Sequence, residues 1–280
     1  MHVLPSGITF TKEIPESLYH RDSAQVCPFP VSWGKEKRGY EPVTDGILKK
    51  SNVTLPEEIA LNELQDTTET KRLRTKMVQS QLADQGITDP RVLVAMEKVP
   101  RHWFCPLGTS PEDAYGDYPL PIGWGATISQ PWIVADMLQQ LELTGNEFVL
   151  EVGTGSGYNA ALLGQLARSV ITVEIVPELA VQSREVLKRG GFTNVVVHQG
   201  DGSLGWSGAS PYDAIIVTAG APAVPEVLAN QLSLGGRMVI PVGDRQSQQL
   251  HIIRKTTNGF SLTVHSRCRF VPLHGQEGWQ

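Results

Sequence analysis

A chain of 280 residues, of which 40% are hydrophobic and 19% charged, is long enough for one large α/β domain and an appended segment. Its formal net charge of -5 disfavours a nucleic-acid substrate, because sequence-independent binding to phosphates requires a basic surface. No apolar run approaches the roughly 20 residues of a membrane-spanning helix, and the first residues lack the pattern of a signal peptide. We therefore expect a cytoplasmic protein that does not enter a membrane.

The three cysteines are Cys27, Cys105 and Cys268, which lie far apart and form no C-x-x-C pair. An odd number of separated cysteines argues against both a disulfide framework and a zinc site. His102 and His198 also lack the spacing of metal ligands. We therefore expect no bound metal ion.

Two parts of the chain differ in pattern. Residues 1–68 carry scattered proline, glycine and charge without a sustained period, and they are predicted to form an N-terminal extension, partly ordered or disordered. Residues 69–280 are predicted to form one domain, in which 69–130 are mainly helical and carry a substrate loop while 131–280 form a cofactor-binding sheet.

Two helices are predicted ahead of the sheet. From Thr70, apolar residues recur at helical spacing until Gly86, which is a typical C-terminal stop. Asp89 and Pro90 then provide the N-cap and first position of a second helix, which ends before Pro100. We expect both helices to cover one end of the sheet.

From Pro131 onward, helices alternate with short apolar strands. The predicted strands are 148–152, 170–174, 195–199, 214–218 and 237–241, and a closing hairpin turns around Asn258-Gly259. This alternation predicts a doubly wound, Rossmann-like α/β fold with a mostly parallel sheet and an antiparallel edge hairpin.

A glycine-rich turn follows the first of these strands. Its glycines, Gly153, Gly155 and Gly157, follow the order G-x-G-x-G, and Tyr158 stands where a dinucleotide fingerprint needs glycine or alanine. NAD is therefore disfavoured. Glu151, two residues before the turn, suits a cationic ligand better than a pyrophosphate. The pattern indicates S-adenosylmethionine, and hence the methyltransferase version of this fold.

Two more acidic residues stand at the ends of predicted strands, on the edge where doubly wound sheets bind ligands. Glu174 ends the second strand, where a carboxylate can accept hydrogen bonds from both hydroxyls of a ribose. Asp201 follows the third strand and is expected to accept a hydrogen bond from the adenine amino group. Each alone also fits a solvated surface carboxylate or a helix cap, but the three acidic positions together favour a cofactor site.

A second motif spans residues 120–131 and reads L-P-I-G-W-G-A-T-I-S-Q-P, directly before a predicted helix. One interpretation is a rigid loop in which Ser129 caps the helix that Pro131 begins. The other is a functional loop, which the presence of the glycine turn favours.

Together these motifs resemble those of the protein-L-isoaspartate O-methyltransferases, whose loop before the cofactor domain reads much like P-I-G-x-G-x-T-I-S-x-P. The resemblance runs from about residue 75 to Leu273, and residues 1–68 and the tail after Leu273 fall outside it. Its other segments are Val99-Pro-Arg-His-Trp-Phe, Glu151-Val-Gly-Thr-Gly-Ser-Gly-Tyr, Gly200-Asp-Gly, Pro211-Tyr-Asp-Ala-Ile-Ile-Val-Thr-Ala, Leu234-Gly-Gly-Arg, Ile240-Pro-Val-Gly and Phe270-Val-Pro-Leu.

The resemblance implies methyl transfer from S-adenosylmethionine to the α-carboxylate of L-isoaspartyl residues in damaged proteins and peptides, with later loss of the ester through a succinimide. Ser129 then matches the active-site hydroxyl. The implied cofactor positions are Thr127, Glu151, Gly153, Gly155, Glu174, Asp201 and Gly202, and the implied substrate-loop positions are Ile128, Gln130, Val271 and Pro272. We expect a monomer.

The chemistry of this reaction limits what the enzyme has to do. A carboxylate with a reference pKa near 4 is already ionised at neutral pH, so attack on a sulfonium methyl group needs no general base. Ser129 would orient the carboxylate, and no G-x-S-x-G elbow surrounds Ser156 to suggest serine hydrolysis. Two alternatives stay open, namely a methyltransferase of the same fold for an aspartate in one dedicated partner peptide and a non-catalytic cofactor-binding protein.

Overall fold

The computed structural model describes residues 64–280 together with the backbone of residues 2–3 and 9–13. The strands are β1 (His2–Val3), β2 (Thr9–Glu13), β3 (Leu120–Gly123), β4 (Ala126–Ile128), β5 (Phe148–Val152), β6 (Ser169–Glu174), β7 (Val195–Gln199), β8 (Tyr212–Val217), β9 (Leu232–Gly243), β10 (Gln248–Thr256) and β11 (Gly259–Cys268). Nine of these described strands form one sheet in the order β1-β2-β11-β10-β9-β8-β5-β6-β7, and β3 pairs with β4.

The main sheet is parallel in its centre and antiparallel near one edge. Strand β5 pairs in parallel with both β6 and β8, which extend in parallel to β7 and β9. Strands β9, β10 and β11 pair antiparallel, and the β10–β11 hairpin turns at Thr256↔Gly259. This topology confirms the predicted fold class and places the switch point of the strand order between β5 and β8, where doubly wound sheets bind ligands.

Seven α-helices in the described residues accompany the sheet: α1 (Thr68–Lys76), α2 (Pro90–Lys98), α3 (Pro111–Ala114), α4 (Pro131–Gln140), α5 (Tyr158–Leu166), α6 (Pro177–Arg189) and α7 (Glu226–Asn230). The central strands bury both faces, because successive side chains alternate between them. Val149 joins the core beneath α2, α4 and α5. Its neighbour Leu150 joins a second core that contains Leu228 of α7. Burial on both faces explains the continuous apolar runs of these strands.

The two helices predicted ahead of the sheet are present. Helix α1 continues through a π-helical segment (Met77–Leu82) and a 3-10 turn (Ala83–Gln85) to Gly86, whose φ of +96° ends it as predicted. The carboxylate of Asp89 accepts a hydrogen bond from the N–H of Arg91, which confirms the predicted cap of α2.

One strand is longer than predicted. Helix α7 covers only Glu226–Asn230, and β9 begins at Leu232, which pairs with Tyr212, whereas the predicted strand begins at residue 237. Sheet pairing extends the strand beyond its apolar run because tertiary contacts outweigh local propensity.

Residues just before α1 pack on the domain, although the predicted boundary falls at residue 68. Asp66 accepts two hydrogen bonds of 2.9 Å from the buried guanidinium of Arg74, and Leu64 packs against the core. These contacts tie residues 64–68 to the domain. Strand β2 also pairs in parallel with β11. Residues 14–63, which include Cys27 and most of the predicted extension, lie outside the described residues.

Among the described helices, none combines the length and apolar character needed to cross a membrane. Over the same residues, no group of three or more His, Cys, Asp or Glu side chains is arranged to hold a metal ion. The buried thiol of Cys105 and the half-buried thiol of Cys268 are not joined in a disulfide.

Candidate active site

A cavity of about 170 Å³ opens at the carboxyl ends of β5, β6 and β8. The β3–β4 hairpin, the glycine turn after β5 and the segment 270–274 form its walls. This is the topological switch point of the sheet, so the fold places the cavity where ligands of doubly wound sheets bind.

The glycine turn forms the floor of the cavity. Gly153, Gly155 and Gly157 have φ values of +94°, +52° and +88°, which residues with a side chain rarely adopt. At Gly153 a Cβ would lie 2.6 Å from the hydroxyl oxygen of Thr218, which itself donates a hydrogen bond of 2.5 Å to the carbonyl of Gly153. This position therefore requires glycine for both its backbone conformation and its close packing.

Glu174 ends β6 in the wall of the cavity, where only 5% of the residue is exposed. Its two carboxylate oxygens accept hydrogen bonds from the N–H groups of Gly155, at 2.7 Å, and Val176, at 3.0 Å. Burial raises the pKa of Glu174, and these backbone donors oppose the rise. Each oxygen keeps a further acceptor site, so the carboxylate is fixed and can receive two hydroxyl groups.

Glu151 lies behind the cavity and is not exposed. One of its oxygens accepts a hydrogen bond of 2.8 Å from the side-chain amide of Asn159, and Asn159 lines the cavity. Burial raises the pKa of Glu151 to about 7, although Thr172 and Asn159 partly stabilise the charge. A cation bound in the cavity would restore the ionised form of this carboxyl.

Ser129 lies in the cavity wall between β4 and α4. Its hydroxyl does not cap α4, because the carboxylate of Asp117 takes that role and accepts hydrogen bonds from the N–H of Trp132, at 3.0 Å, and the side chain of Gln130, at 2.8 Å. Gln130, not Ser129, stands at the N-cap position of α4, and the Ser129 hydroxyl has no hydrogen-bond partner among the described residues. The capping interpretation of Ser129 therefore does not hold, and its hydroxyl faces the cavity with its hydrogen-bonding capacity unused.

Asp201 lies away from the cavity and holds the C-terminal tail. One carboxylate oxygen accepts hydrogen bonds from the N–H and hydroxyl of Ser203, and the other accepts from the N–H of Gln276 at 2.8 Å. The tail is also fixed where the indole of Trp279 donates to the carbonyl of Gly220 at 2.9 Å. Only the neighbouring Gly202 reaches the cavity wall.

The structure thus brings together most of the predicted site residues. Those that line the cavity are Thr127, Ile128, Ser129, Gly153, Gly155, Glu174, Gly202, Val271 and Pro272. Three predicted residues do not line the cavity. Gln130 donates a hydrogen bond to Asp117, Glu151 accepts one from Asn159 of the cavity wall, and Asp201 accepts one from Gln276 of the C-terminal tail.

Comparisons with known proteins agree with this geometry. Residues 73–278 match the family model described as protein-L-isoaspartate(D-aspartate) O-methyltransferase. The chain is 56% identical over 209 residues to the protein-L-isoaspartate O-methyltransferase of Trichlorobacter lovleyi, covering 74% of this chain and 95% of the relative. It is 53% identical, over 74% and 95%, to protein-L-isoaspartate O-methyltransferase 2 of Marinobacter nauticus.

The chain belongs to the protein-L-isoaspartate O-methyltransferase family. Among solved structures, one protein-L-isoaspartate O-methyltransferase superposes with a TM-score of 0.67 at 30% identity, covering 73% of this chain and 67% of the other. A Plasmodium falciparum protein assigned to the same family, solved with S-adenosyl-L-homocysteine, gives a TM-score of 0.63 at 26% identity over 72% and 99%. The family match extends five residues beyond Leu273, so the C-terminal tail is part of the family domain as well.

Among the lining residues that were not predicted from the sequence are Asn159, Thr218 and His274. Asn159 lies in α5, directly after the glycine turn, and bonds to Glu151 of the preceding strand, whereas Thr218 follows β8 and contacts the turn only through the fold. The signal available for Thr218 was its place directly after the apolar strand β8, on the same sheet edge as Glu174. His274 belongs to the tail, where no motif marked it.

The residues present fit S-adenosylmethionine. The fixed Glu174 carboxylate has free acceptor sites for a ribose diol, and a second carboxyl, Glu151, lies behind the wall toward which a sulfonium or ammonium group would be attracted. Burial and the nearby Arg245 lower the pKa of His274, so this imidazole adds no positive charge at neutral pH. The cavity therefore has the polarity that a cationic ligand requires.

Proposed function

We propose that this chain transfers a methyl group from S-adenosylmethionine to the α-carboxylate of L-isoaspartyl residues in damaged proteins and peptides. One observation carries the proposal. Asp117, and not Ser129, caps α4, and the Ser129 hydroxyl lines the same cavity as the fixed Glu174 carboxylate. A hydrogen-bond donor for a substrate and an acceptor for a ribose thus share one enclosed space.

S-adenosylmethionine supplies an electrophilic methyl group on a sulfonium. On the cofactor side, Glu174 would accept hydrogen bonds from the ribose hydroxyls, while the side-chain amide oxygen of Asn159 and the carboxyl of Glu151 would attract the cationic end of the cofactor. The backbone of Gly153 and Gly155 allows close approach, because neither residue carries a Cβ. The roles of Thr127, Gly202 and Asp201 in cofactor binding remain predictions, and of these three residues Asp201 does not line the cavity.

On the substrate side, Ser129 would donate a hydrogen bond to the carboxylate and orient it for attack on the methyl group. No residue has to remove a proton, because the carboxylate is ionised at neutral pH. The gain comes from orientation, which contributes roughly 7–11 kcal/mol at best. Ile128, Val271 and Pro272 supply the apolar surface beside it, and Gln130 supports the loop through Asp117.

Water is excluded by the apolar part of the cavity wall, which includes Val134, Met137, Phe270 and Leu273. All four of these side chains are buried. A dry wall strengthens every hydrogen bond and charge interaction inside the cavity.

We further propose that the protein acts as a cytoplasmic monomer on many isoaspartyl substrates, without a nucleic-acid partner. The acidic composition supports the last point. The unused Ser129 hydroxyl also speaks against a purely cofactor-binding role, since such a protein needs no second donor in the cavity.

The test is a methylation assay with tritiated S-adenosylmethionine. We expect an isoaspartyl peptide to be labelled and its normal aspartyl isomer to be labelled far more slowly, because a pocket shaped for one backbone discriminates against the other. Labelling of one protein in a cell extract but of no isoaspartyl peptide would instead favour a dedicated partner. Binding of S-adenosylhomocysteine without any labelling would show a non-catalytic protein.

A further inference from the structure

Trp124 stands at the tip of the β3–β4 hairpin in a conformation that is unusual for its type. Gly123 pairs with Ala126, so Trp124 and Gly125 form a two-residue turn with φ values of +48° and +74°. Positive φ at both central positions is the pattern of a type I′ turn, where Asn, Asp and Gly are preferred. A bulky residue at positive φ is an outlier, and such outliers cluster at functional sites.

The side chain of Trp124 is also unusually exposed. It is 48% exposed, and among the large apolar side chains that are exposed in the described residues it alone lines the cavity. The indoles of Trp132 and Trp279 donate to carbonyl groups of the chain, at 3.3 Å and 2.9 Å, whereas for Trp124 the described part of the chain offers no such partner. Its ring face and N–H are both available at the cavity mouth.

The position of the hairpin explains what this exposed ring can contact. Ile122 of β3 lies against the glycine turn, since a Cβ at Gly155 would be 3.5 Å from its Cδ1 atom. Ser129 follows β4 of the same hairpin in the cavity wall. A peptide that places one residue beside Ser129 must run its neighbouring residues over the rim, and Trp124 is the large apolar group of that rim.

We propose that Trp124 is a specificity-determining residue, whose indole contacts the side chain next to the isoaspartyl residue and favours an aromatic or large aliphatic neighbour. This inference rests on the proposed function. An aromatic ring that is rigid and half exposed gains contact area on binding at little cost in side-chain freedom.

Two substitutions distinguish the contribution of the aromatic ring of Trp124 from that of its turn conformation. Trp124→Phe keeps an aromatic face, while Trp124→Asn accepts the positive φ and removes the face. Leu107→Asn is the control, because Leu107 is 61% exposed but does not line the cavity. The substrates are isoaspartyl peptides of one length in which the residue on either side is Phe, Leu or Gly in turn.

With the unaltered enzyme, we expect kcat/KM to be about tenfold higher for the best Phe or Leu neighbour than for Gly, the size of one aromatic contact. Trp124→Asn should reduce this ratio to below about twofold by raising KM for the apolar peptides alone. Both kcat and the affinity for S-adenosylhomocysteine should stay constant. Trp124→Phe should keep most of the ratio, and Leu107→Asn should keep all of it.

Several results would overturn the inference. An unchanged ratio in Trp124→Asn would show that the indole does not set the preference. An equal fall of kcat/KM for every peptide would make Trp124 part of the general substrate site, and weaker binding of S-adenosylhomocysteine would make it part of the cofactor site. Equal rates for all neighbours with the unaltered enzyme would also refute it while the proposed function stands. If no isoaspartyl peptide is methylated at all, it is the proposed function that fails.

Discussion

The glycine turn after β5 and the β3–β4 hairpin face each other across the cavity, yet they are built differently. In the glycine turn the polar groups are buried and paired: Glu174 holds two backbone N–H groups, and Thr218 holds the carbonyl of Gly153. On the hairpin side, Trp124 is half exposed and the hydroxyl of Ser129 faces the cavity. The cofactor half, formed by the glycine turn and Glu174, is thus held in place by internal hydrogen bonds before any ligand binds. The substrate half, formed by the β3–β4 hairpin and Ser129, instead carries groups without a hydrogen-bond partner among the described residues.

The difference should be largest when one methyl group is added to each half. Gly153→Ala and Gly123→Ala both place a Cβ at a φ near +90°, which costs about 1–2 kcal/mol. Only the Gly153 Cβ meets an atom, the hydroxyl oxygen of Thr218 at 2.6 Å, and crowding of that kind costs a further 1–3 kcal/mol or so. We expect Gly153→Ala to weaken S-adenosylhomocysteine binding by about 100-fold.

The matched variant Gly123→Ala should lose about 1–2 kcal/mol of stability and bind S-adenosylhomocysteine within about twofold of the unaltered protein. Calorimetric titration and thermal melting of both proteins provide the comparison. If both variants lose the same affinity for S-adenosylhomocysteine, the loss comes from the backbone conformation alone, and the two halves of the cavity do not differ in packing.

Removal of the Ser129 hydroxyl tests the substrate half. Ser129→Ala should lower kcat/KM toward an isoaspartyl peptide by about 5- to 150-fold, as expected for one charge-assisted hydrogen bond. Its melting temperature and its affinity for S-adenosylhomocysteine should hardly change, since Asp117 and not Ser129 caps α4. Ser129→Cys is the control, and because a thiol is a weak donor it should resemble Ala in rate.

Full activity of Ser129→Ala per folded molecule would remove Ser129 from the substrate contacts. A fall of about 0.5–2 kcal/mol in stability with unchanged kinetics would point back to a capping role.

The same contrast explains what the sequence could predict. Helices and strands followed from apolar periodicity and from local signals such as Asp89-Pro90 and Gly86, and the fold class followed from their alternation. The cofactor half was predictable because its chemistry lies in a contiguous motif, 151–157, and in acidic residues at strand ends. Glu174 lies in the cavity wall, at the strand end that the sequence marks, and its role in binding the cofactor stays a prediction.

Other features depend on contacts between distant segments, which periodicity does not reveal. Asp117 caps α4 from 15 residues upstream, so the sequence offered Ser129 as the nearest cap instead. Asp201 stands at a strand end as predicted, but its carboxylate pairs with Ser203 and with Gln276, 75 residues later. The tail had no recognisable pattern, and its contact with Asp201 was therefore not predictable.

A pH experiment measures how far the cofactor half is prepared for a cation. Burial raises the pKa of Glu151 to about 7 and also raises the pKa of Glu174. The folded empty protein therefore binds protons that the unfolded chain has released, so these groups make its stability fall as pH rises from about 5 to about 7. A bound cation lowers the pKa again, hence S-adenosylmethionine should bind more tightly as pH rises through this window and should release protons on binding.

Glu151→Gln should reduce this proton release. It should also weaken the binding of S-adenosylmethionine about tenfold more than the binding of S-adenosylhomocysteine, whose thioether carries no charge. Calorimetry in buffers of different ionisation enthalpy measures the protons released. The control is Glu178→Gln, an exposed change on α6 that should leave both measurements unaltered. Equal loss of affinity for both ligands would show that Glu151 acts by packing and not by charge.

The smallest expected effect concerns Asp117, which supports the substrate half of the cavity through its hydrogen bonds to Gln130 and Trp132. Asp117→Ala removes the acceptor for the N–H of Trp132 and for the side chain of Gln130, and it should cost about 0.5–2 kcal/mol of stability, the range for a helix cap. Asp117→Asn keeps one acceptor oxygen for Trp132 and should cost less. Because Asp117 supports the loop without touching the cavity, kcat/KM per folded molecule should change by less than about fivefold in both variants, mainly through KM.

A double-mutant cycle with Ser129→Ala then tests whether Ser129 can replace Asp117 as the cap of α4. If Ser129 has no part in the cap, its stability effect should be the same within about 0.5 kcal/mol whether Asp117 is present or replaced by Ala. If the Ser129 hydroxyl turns to the helix once Asp117 is lost, Ser129→Ala should destabilise the Asp117→Ala protein alone. In that case the catalytic rate of Asp117→Ala should also fall toward that of Ser129→Ala, because a Ser129 side chain rotated toward α4 moves its hydroxyl away from the substrate carboxylate. If the two stability changes add and the catalytic rate of Asp117→Ala is nearly unchanged, the Ser129 hydroxyl stays free to donate to the substrate.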